Sequence, residues 1–334
     1  MIGSMKPDRG PHSPAAAGRR KEAIDMRTTS PCPLAVPSLL ATAALAALLA
    51  VAPLACGGGE GAPVAKLSLE PGAVDLPYGS FTDLDLAWTP RAELEGVTGQ
   101  LRLFAHLLDP KGRLTRTFDQ GLPDDWQVGQ SQHAKLRLYQ SLLAPPLAAG
   151  DYTLTVGLYD DSGRRWPLDT EGERRGRDEY EMVAVHVPKK SAGLPAFEFS
   201  PTWSPTLAGS DRQVVAFRWL HGDGSIHLSE IQGPGTLWAR IQIPAVETAG
   251  MRRQIEDSEG GDEARLGLSA GCSGFEAGVS GAGSHDIDIP VTTDSGRCTV
   301  TYDPNFVMIA NDPAAVTDAG RTLLLEALAW KKGS

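Results

Sequence analysis

From residue 66 onward the chain alternates apolar and polar positions with a period of two, the mark of half-buried strands. Lys66-Leu67-Ser68-Leu69, Leu84 to Trp88 and Gln100 to Leu107 follow it, as do Lys135 to Leu138, Tyr152 to Tyr159 and Val183 to Val187. Turn residues separate these runs at Pro71-Gly72, Asp109-Pro110-Lys111-Gly112 and Asp160-Asp161-Ser162-Gly163. Short strands at this spacing predict an antiparallel β-sandwich over 66–188.

A polar, turn-rich stretch at 189–195, Lys-Lys-Ser-Ala-Gly-Leu-Pro, is the best domain boundary. A second β pattern fills 196–334. Its predicted strands are Val214–Leu220, Ser225–Ile231, Thr236–Ile243, Ala264–Ser269, Asp286–Ile289, Cys298–Tyr302 and Leu323–Trp330. The last run also suits a helix by propensity, but a strand closes the domain. The fold class is therefore all-β, with two antiparallel sandwiches.

The first 65 residues have a different character. Thr28 to Gly59 carries no charged residue, and Leu39 to Ala55 is a 17-residue apolar run that ends at Cys56 and three glycines. Residues 1–55 then read as a signal or anchor segment, with Met26 opening a shorter version of it, and 56–65 as a tether. A basic start, an apolar run and Leu54-Ala55-Cys56 together resemble a bacterial lipoprotein signal peptide. Pro53 stands where such signals usually carry leucine. The resemblance implies a lipid on the Cys56 thiol and a protein anchored in the cell envelope. The alternatives are an uncleaved membrane helix over Leu34–Cys56 or a cleaved, secreted chain. All three export the rest.

Charge narrows the partners. The chain has 31 basic and 41 acidic residues, a formal net charge of −10. Six of the basic residues but only three acidic ones lie in 1–55, so the exported part is more acidic still. A nucleic-acid partner needs the opposite sign. The expected partners are the membrane, through the lipid, and a glycan or an envelope protein.

Phe104 to Gly112, then Trp126 and Gly129, then Gly150-Asp151-Tyr152 and Val156 to Asp160 resemble a bacterial immunoglobulin-like module. Such modules occur in exported regions of cell-envelope proteins and membrane glycosyltransferases. Leu147 to Tyr152 has the form of its tyrosine corner, in which the ring packs inward and the hydroxyl bonds the backbone. The second domain resembles jelly-roll tails found near such enzymes, through Phe199 to Trp203, Phe217-Arg218-Trp219, Phe306-Val307 and Asp318 to Leu323. No catalytic residue or cofactor comes with either resemblance. The reading is a non-enzymatic binding or accessory module; a polysaccharide hydrolase or transferase, or a structural adaptor, are the alternatives.

Candidate chemistry is sparse. Cys272 and Cys298 are an even pair in an exported domain, which reads as a disulfide. Trp126 and Trp203 lie in loops, where an indole either stacks on a sugar or plugs the end of a sandwich. Trp88 and Trp219 sit inside alternating strands and are expected in the core. His221, Asp223 and His227 could ligate zinc, but Gly222-Asp223-Gly224 is turn chemistry and predicts a β-hairpin. His106 shares its parity with Phe104 and Leu108 and is expected to face the core. Asp257, Glu259, Asp262 and Glu263 read as a solvated acidic loop rather than a calcium site. No metal is expected. Nucleophile elbow, zinc-protease and Walker motifs are absent from the sequence.

Overall fold

A computed structural model describes residues 62–91, 97–122, 126–190, 193–245, 251–255, 263–310 and 320–333. The Cys56 region and Asp257, Glu259 and Asp262 lie outside these residues. The described part is all-β. Its first twelve strands are β1 (Ala65–Glu70), β2 (Ala73–Asp75), β3 (Phe81–Pro90), β4 (Arg102–Leu108), β5 (Leu114–Thr117), β6 (Gln120–Gly121), β7 (Gln132–Tyr139), β8 (Gly150–Tyr159), β9 (Arg165–Trp166), β10 (Leu168–Asp169), β11 (Glu173–Gly176) and β12 (Glu179–Val187). The next twelve are β13 (Ala196–Phe199), β14 (Leu207–Ala208), β15 (Ala216–Trp219), β16 (Gly224–Ser229), β17 (Gly235–Ile243), β18 (Met251–Ile255), β19 (Arg265–Ala270), β20 (Phe275–Ser280), β21 (Gly283–Val291), β22 (Cys298–Pro304), β23 (Phe306–Ala310) and β24 (Leu324–Lys332). No sheet mixes the two sets.

In the first set, sheet A runs β10-β1-β3-β7 and faces sheet B, β11-β12-β8-β4-β5, to which β2, β6 and β9 add. In the second, sheet C runs β13-β16-β22-β19-β20 and faces sheet F, β14-β15-β24-β17-β21, while β18 and β23 pair apart. Pairing is antiparallel except for two short parallel contacts, β1 with β10 and β2 with β12. β1 and β2 are consecutive yet belong to different sheets, so the chain changes sheet at Pro71-Gly72 and must run parallel to its new neighbour.

The period-two pattern sets the cores. Leu67, Leu69, Leu84, Leu86, Trp88, Leu136 and Leu138 meet Leu103, Ala105, Leu107, Leu154, Val156 and Leu158 between A and B. Ile226, Leu228, Val300 and Leu268 meet Leu237, Ile241, Leu325 and Leu328 between C and F. His106 has the opposite parity to Leu103, Ala105 and Leu107, and it points out of the sandwich. The core expectation for His106 is therefore corrected: its neighbour Phe104 is buried too, but against the outer face of sheet B. Phe104 lies flat there because residue 157 is glycine; a Cβ at Gly157 would come within 2.3 Å of both the Phe104 ring and the Asp178 carbonyl.

Two turns repeat one design. Asp109-Pro110-Lys111-Gly112-Arg113 and Asp160-Asp161-Ser162-Gly163-Arg164 each carry aspartate first, glycine fourth and arginine fifth. In each, the aspartate carboxylate accepts from the backbone N–H two and four residues on. The glycine takes positive φ, 74° at Gly112 and 77° at Gly163, which a side chain resists. The Tyr152 hydroxyl donates to the Ala148 carbonyl at 2.9 Å, as its corner sequence leads one to expect. The turn at Gly222-Asp223-Gly224 is not a hairpin: β15 lies in sheet F and β16 in sheet C, so the turn carries the chain from one sheet to the other. Hairpin and corner demand the same glycine chemistry, which is why the residues did not separate them.

The outer faces of sheets A and F pack against each other. Trp238 of β17 is fully buried and joins the first core, together with Ala327 and Ala329 of β24. Its ring lies 4.6 Å from Tyr139 and 6.0 Å from Phe81. Arg137 of β7 crosses this seam. It donates to both oxygens of Asp83 at 2.5 and 2.8 Å, and to both oxygens of Asp288, on β21 of the other sandwich, at 2.5 and 3.1 Å. Its guanidinium also stacks 4.3 Å from the Phe81 ring centre. Main-chain bonds close the edge of β24 beyond β15: Leu142 N donates to Leu328 O and Trp330 N to Gly79 O, both at 2.7 Å. The order of layers is thus B, A, F, C.

Truncating Trp238 to alanine removes the largest side chain of the seam, and about 3–5 kcal/mol of stability is expected to go with it. Urea titrations followed by circular dichroism measure this; a loss below about 1 kcal/mol would contradict the buried seam. Acid gives a second readout. Burial alone raises the Asp83 carboxyl, but the hydrogen bonds and charge of Arg137 outweigh it and hold the group below the usual aspartate range. A depressed carboxyl stabilises the fold in full above the ordinary aspartate pKa, and the contribution disappears as pH falls through the depressed value. Asp83→Asn is therefore expected to flatten the acid limb of the stability curve, and an unchanged limb would exclude Asp83 as its source.

Candidate functional site

The outward face of sheet C carries a polar groove of about 480 Å³. Register builds it. Glu198 lies opposite His227, and His227 opposite Thr299, so edge strand β13, then β16 and β22, present one row of side chains to solvent. The His227 ring spans two hydroxyls, with Nδ1 3.0 Å from Thr299 Oγ1 and Nε2 3.1 Å from Ser225 Oγ. Ser229 and Arg297 add further polar groups to the lining, beside Ala196, Phe197, Leu228 and Cys298. The groove therefore offers a carboxylate, an imidazole, a guanidinium and hydroxyls within one shallow surface.

Its rim is fixed. Cys272, in the turn between β19 and β20, is bonded to Cys298 at the start of β22, with Cα atoms 5.2 Å apart. The turn before β22 closes on itself as Thr293 Oγ1 donates to Arg297 O, and Ile231 N donates to Gly296 O. Arg297, next to the bridge, is held at the groove by these bonds.

The two loop tryptophans differ. Trp203 is only 5% exposed. Its indole N–H donates to Ser225 O at 3.1 Å, and its ring meets Phe199 and Tyr302 edge to face. It occupies the plugging position, with no ring face left for a sugar. Trp126 is half-buried, edge-on to Trp88 at 5.7 Å. Trp88 is in the core as expected, whereas Trp219 is not: it stands half-exposed on the outer face of sheet F, beside Phe217, with the Arg321 guanidinium 4.8 Å over its ring. The physical reason is that A covers F only over β17 and the end of β24, leaving β15 outside the seam. Leu207 on β14, opposite Phe217, is one of the large apolar side chains left exposed.

A second cluster sits on the outer face of sheet B. Thr155 Oγ1 donates to Glu179 Oε1 at 2.6 Å, His106 Nδ1 lies 3.5 Å from the same oxygen, and Arg165 reaches Oε2 at 3.4 Å. Burial pushes the Glu179 carboxyl up, but Thr155, His106 and Arg165 together bring it below its ordinary value. Both oxygens are engaged, so this carboxylate serves as the hub of a structural network. His221, Asp223 and His227 are not brought together; among the described residues, no group of three His, Cys, Asp or Glu side chains is placed to hold a metal. No helix among the described residues is long and apolar enough to cross a membrane. No family model matches the chain, and no curated protein resembles it significantly.

The sequence alone does not single out the groove, because its members are ordinary polar positions on alternating strands. The visible signal is His227 itself, whose nearness in sequence to His221 and Asp223 suggests partners other than those the strand pairing supplies. The bridge has a measurable worth: closing its loop stabilises by about 3 kcal/mol through the unfolded chain. The double variant Cys272→Ala/Cys298→Ala is expected to lose about that much in urea unfolding, whereas the same titration on the wild type in reductant should give the same loss.

Proposed function

We propose that the chain is a lipid-anchored protein of the cell envelope, whose two sandwiches, one immunoglobulin-like and one jelly-roll-like, form a rigid, non-enzymatic binding module for glycans. The observation that supports this best is the groove on sheet C. Sugar hydroxyls act as donor and acceptor at once, and they are bound by mixed sets of carboxylate, imidazole, guanidinium and hydroxyl groups held on a rigid surface. The row from Glu198 to Thr299 is such a set. The half-buried Trp126 is the second candidate contact. A disulfide at the groove also suits an oxidising compartment outside the cytoplasm.

Lipid attachment at Cys56 supplies the tether, since two or three acyl chains hold a protein stably at a bilayer. Two measurements test the reading. On a glycan array, wild type is expected to bind a defined subset, His227→Ala to lose it and Trp126→Ala to weaken it. Binding to no glycan would reject the ligand class. In membrane fractionation, Cys56→Ala is expected to release the protein from the membrane, and an unchanged distribution would reject the anchor.

A further inference from the structure

A cavity of about 970 Å³ opens at the side of the first sandwich, away from the groove's sheet. Its wall includes every residue from Lys66 to Gly72. β1 meets the cavity along the stretch beyond Lys66, where no strand pairs with it on the side away from β3. β1 pairs with β3 along its whole length, but with β10 only at Ala65 and Lys66. Ala65 lies opposite Pro90. Proline has no N–H, so that pair is of the non-hydrogen-bonded kind, and alternation turns the N–H and C=O of Leu69 away from β3 toward the cavity. Neither group meets a partner among the described residues.

The facing wall is the run Asp169 to Glu173, with Glu181 and Met182 of β12. β12 is open here as well, since β11 pairs it at Glu179 to Glu181 and β2 at Ala184 to His186. The lining thus combines two interrupted strand edges, apolar surface from Pro71 and Met182, and a surplus of negative charge. Five carboxylates, Glu70, Asp169, Glu171, Glu173 and Glu181, face a single amine, Lys66. Arg91 neutralises Asp169 and Arg175 neutralises Glu181. Glu70, Glu171 and Glu173 have no ion-pair partner among the described residues.

We propose that this slot docks an extended, lysine- or arginine-bearing segment of a partner protein, which joins β1 as a further strand. A free strand edge gives affinity to any extended chain. The unpaired carboxylates then select: an acidic strand is repelled, an apolar one leaves the acids desolvated and unpaired, and a basic one neutralises them. A compact cation would satisfy the charge but leave the Leu69 main-chain groups unused. This inference does not depend on the glycan reading, because the slot and the groove share no residue.

The test is fluorescence anisotropy of the full chain with three labelled short peptides: alternating valine and lysine, the same sequence N-methylated at alternate residues, and alternating valine and glutamate. N-methylation keeps the charge and removes the N–H groups that a ladder needs. Saturable binding of the plain lysine peptide is expected, with affinity at least about tenfold lower for each of the others. Glu171→Gln/Glu173→Gln is expected to weaken the lysine peptide by a similar factor without moving the thermal unfolding midpoint. Equal binding of the plain and methylated peptides would mean unspecific charge attraction and overturn the docking, as would indifference to the glutamine substitutions or no binding at all.

Discussion

Arg137 is a cation that two sandwiches must neutralise together. It lies in a seam of aromatic rings, where a lone guanidinium is costly, and one carboxylate comes from its own sheet while the other comes from the opposite domain. The Asp83 arm is largely shielded from water, whereas Asp288 is half exposed and its arm is screened by solvent. The seam is therefore more than apolar adhesion. Trp238, Tyr139 and Phe81 supply the area; Asp83, Arg137 and Asp288 set the register at which that area closes. Apart, sheet A would expose Phe81 and Tyr139, and sheet F would expose Trp238.

This seam decides which surfaces remain for recognition. The faces of A and F are spent on each other wherever β17 and the end of β24 lie. The outer face of B is partly occupied by its own network, with Phe104 buried beneath Arg165 and Glu179 satisfied on both oxygens. Among the described residues, what stays open is the outer face of C, the β14–β15 end of F, and the interrupted edges of the first sandwich. A groove on C is accordingly held at a fixed distance from the first domain. Recognition by a rigid surface loses less entropy on binding than recognition by a mobile one.

Many strand positions could be read from alternation, and the reason is that most strands turn one face to a core and the other, over much of their length, to water. The harder strands were those covered on both. β24 reads Leu-Leu-Glu-Ala-Leu-Ala-Trp, apolar at both parities, which leaves helix and strand equally open by pattern. Its burial on both faces explains the composition: Leu325 and Leu328 fill the second core while Ala327 and Ala329 fill the seam. The small alanines are what let the two sheets approach. Trp238 carried the same message, a tryptophan between the inward-facing Leu237 and Ala239, but a sequence does not name the surface across from it. Short strands such as β2, β6 and β9 are too brief to show a period. His227 was visible and its partners were not, since Glu198 and Thr299 reach it only through the pairing of strands distant in the chain.

The acidic balance also acquires a location. Arginines carry much of the internal electrostatics: Arg137, Arg240, Arg165, Arg91, Arg175 and Arg113 are each paired with a carboxylate. Three of the acids without an ion-pair partner among the described residues lie where the chain is least paired. That is the open side of the first sandwich, where Glu70, Glu171 and Glu173 stand over unpaired main chain. Charged side chains along a free edge are a usual defence against edge-to-edge association, although lysine is the commoner choice. Using glutamate instead, in a chain already short of cations, gives the edge a polarity as well as a guard. A surface guarded by one sign of charge is closed to like-charged and apolar strands and open to the opposite sign, so here defence and selectivity are the same property.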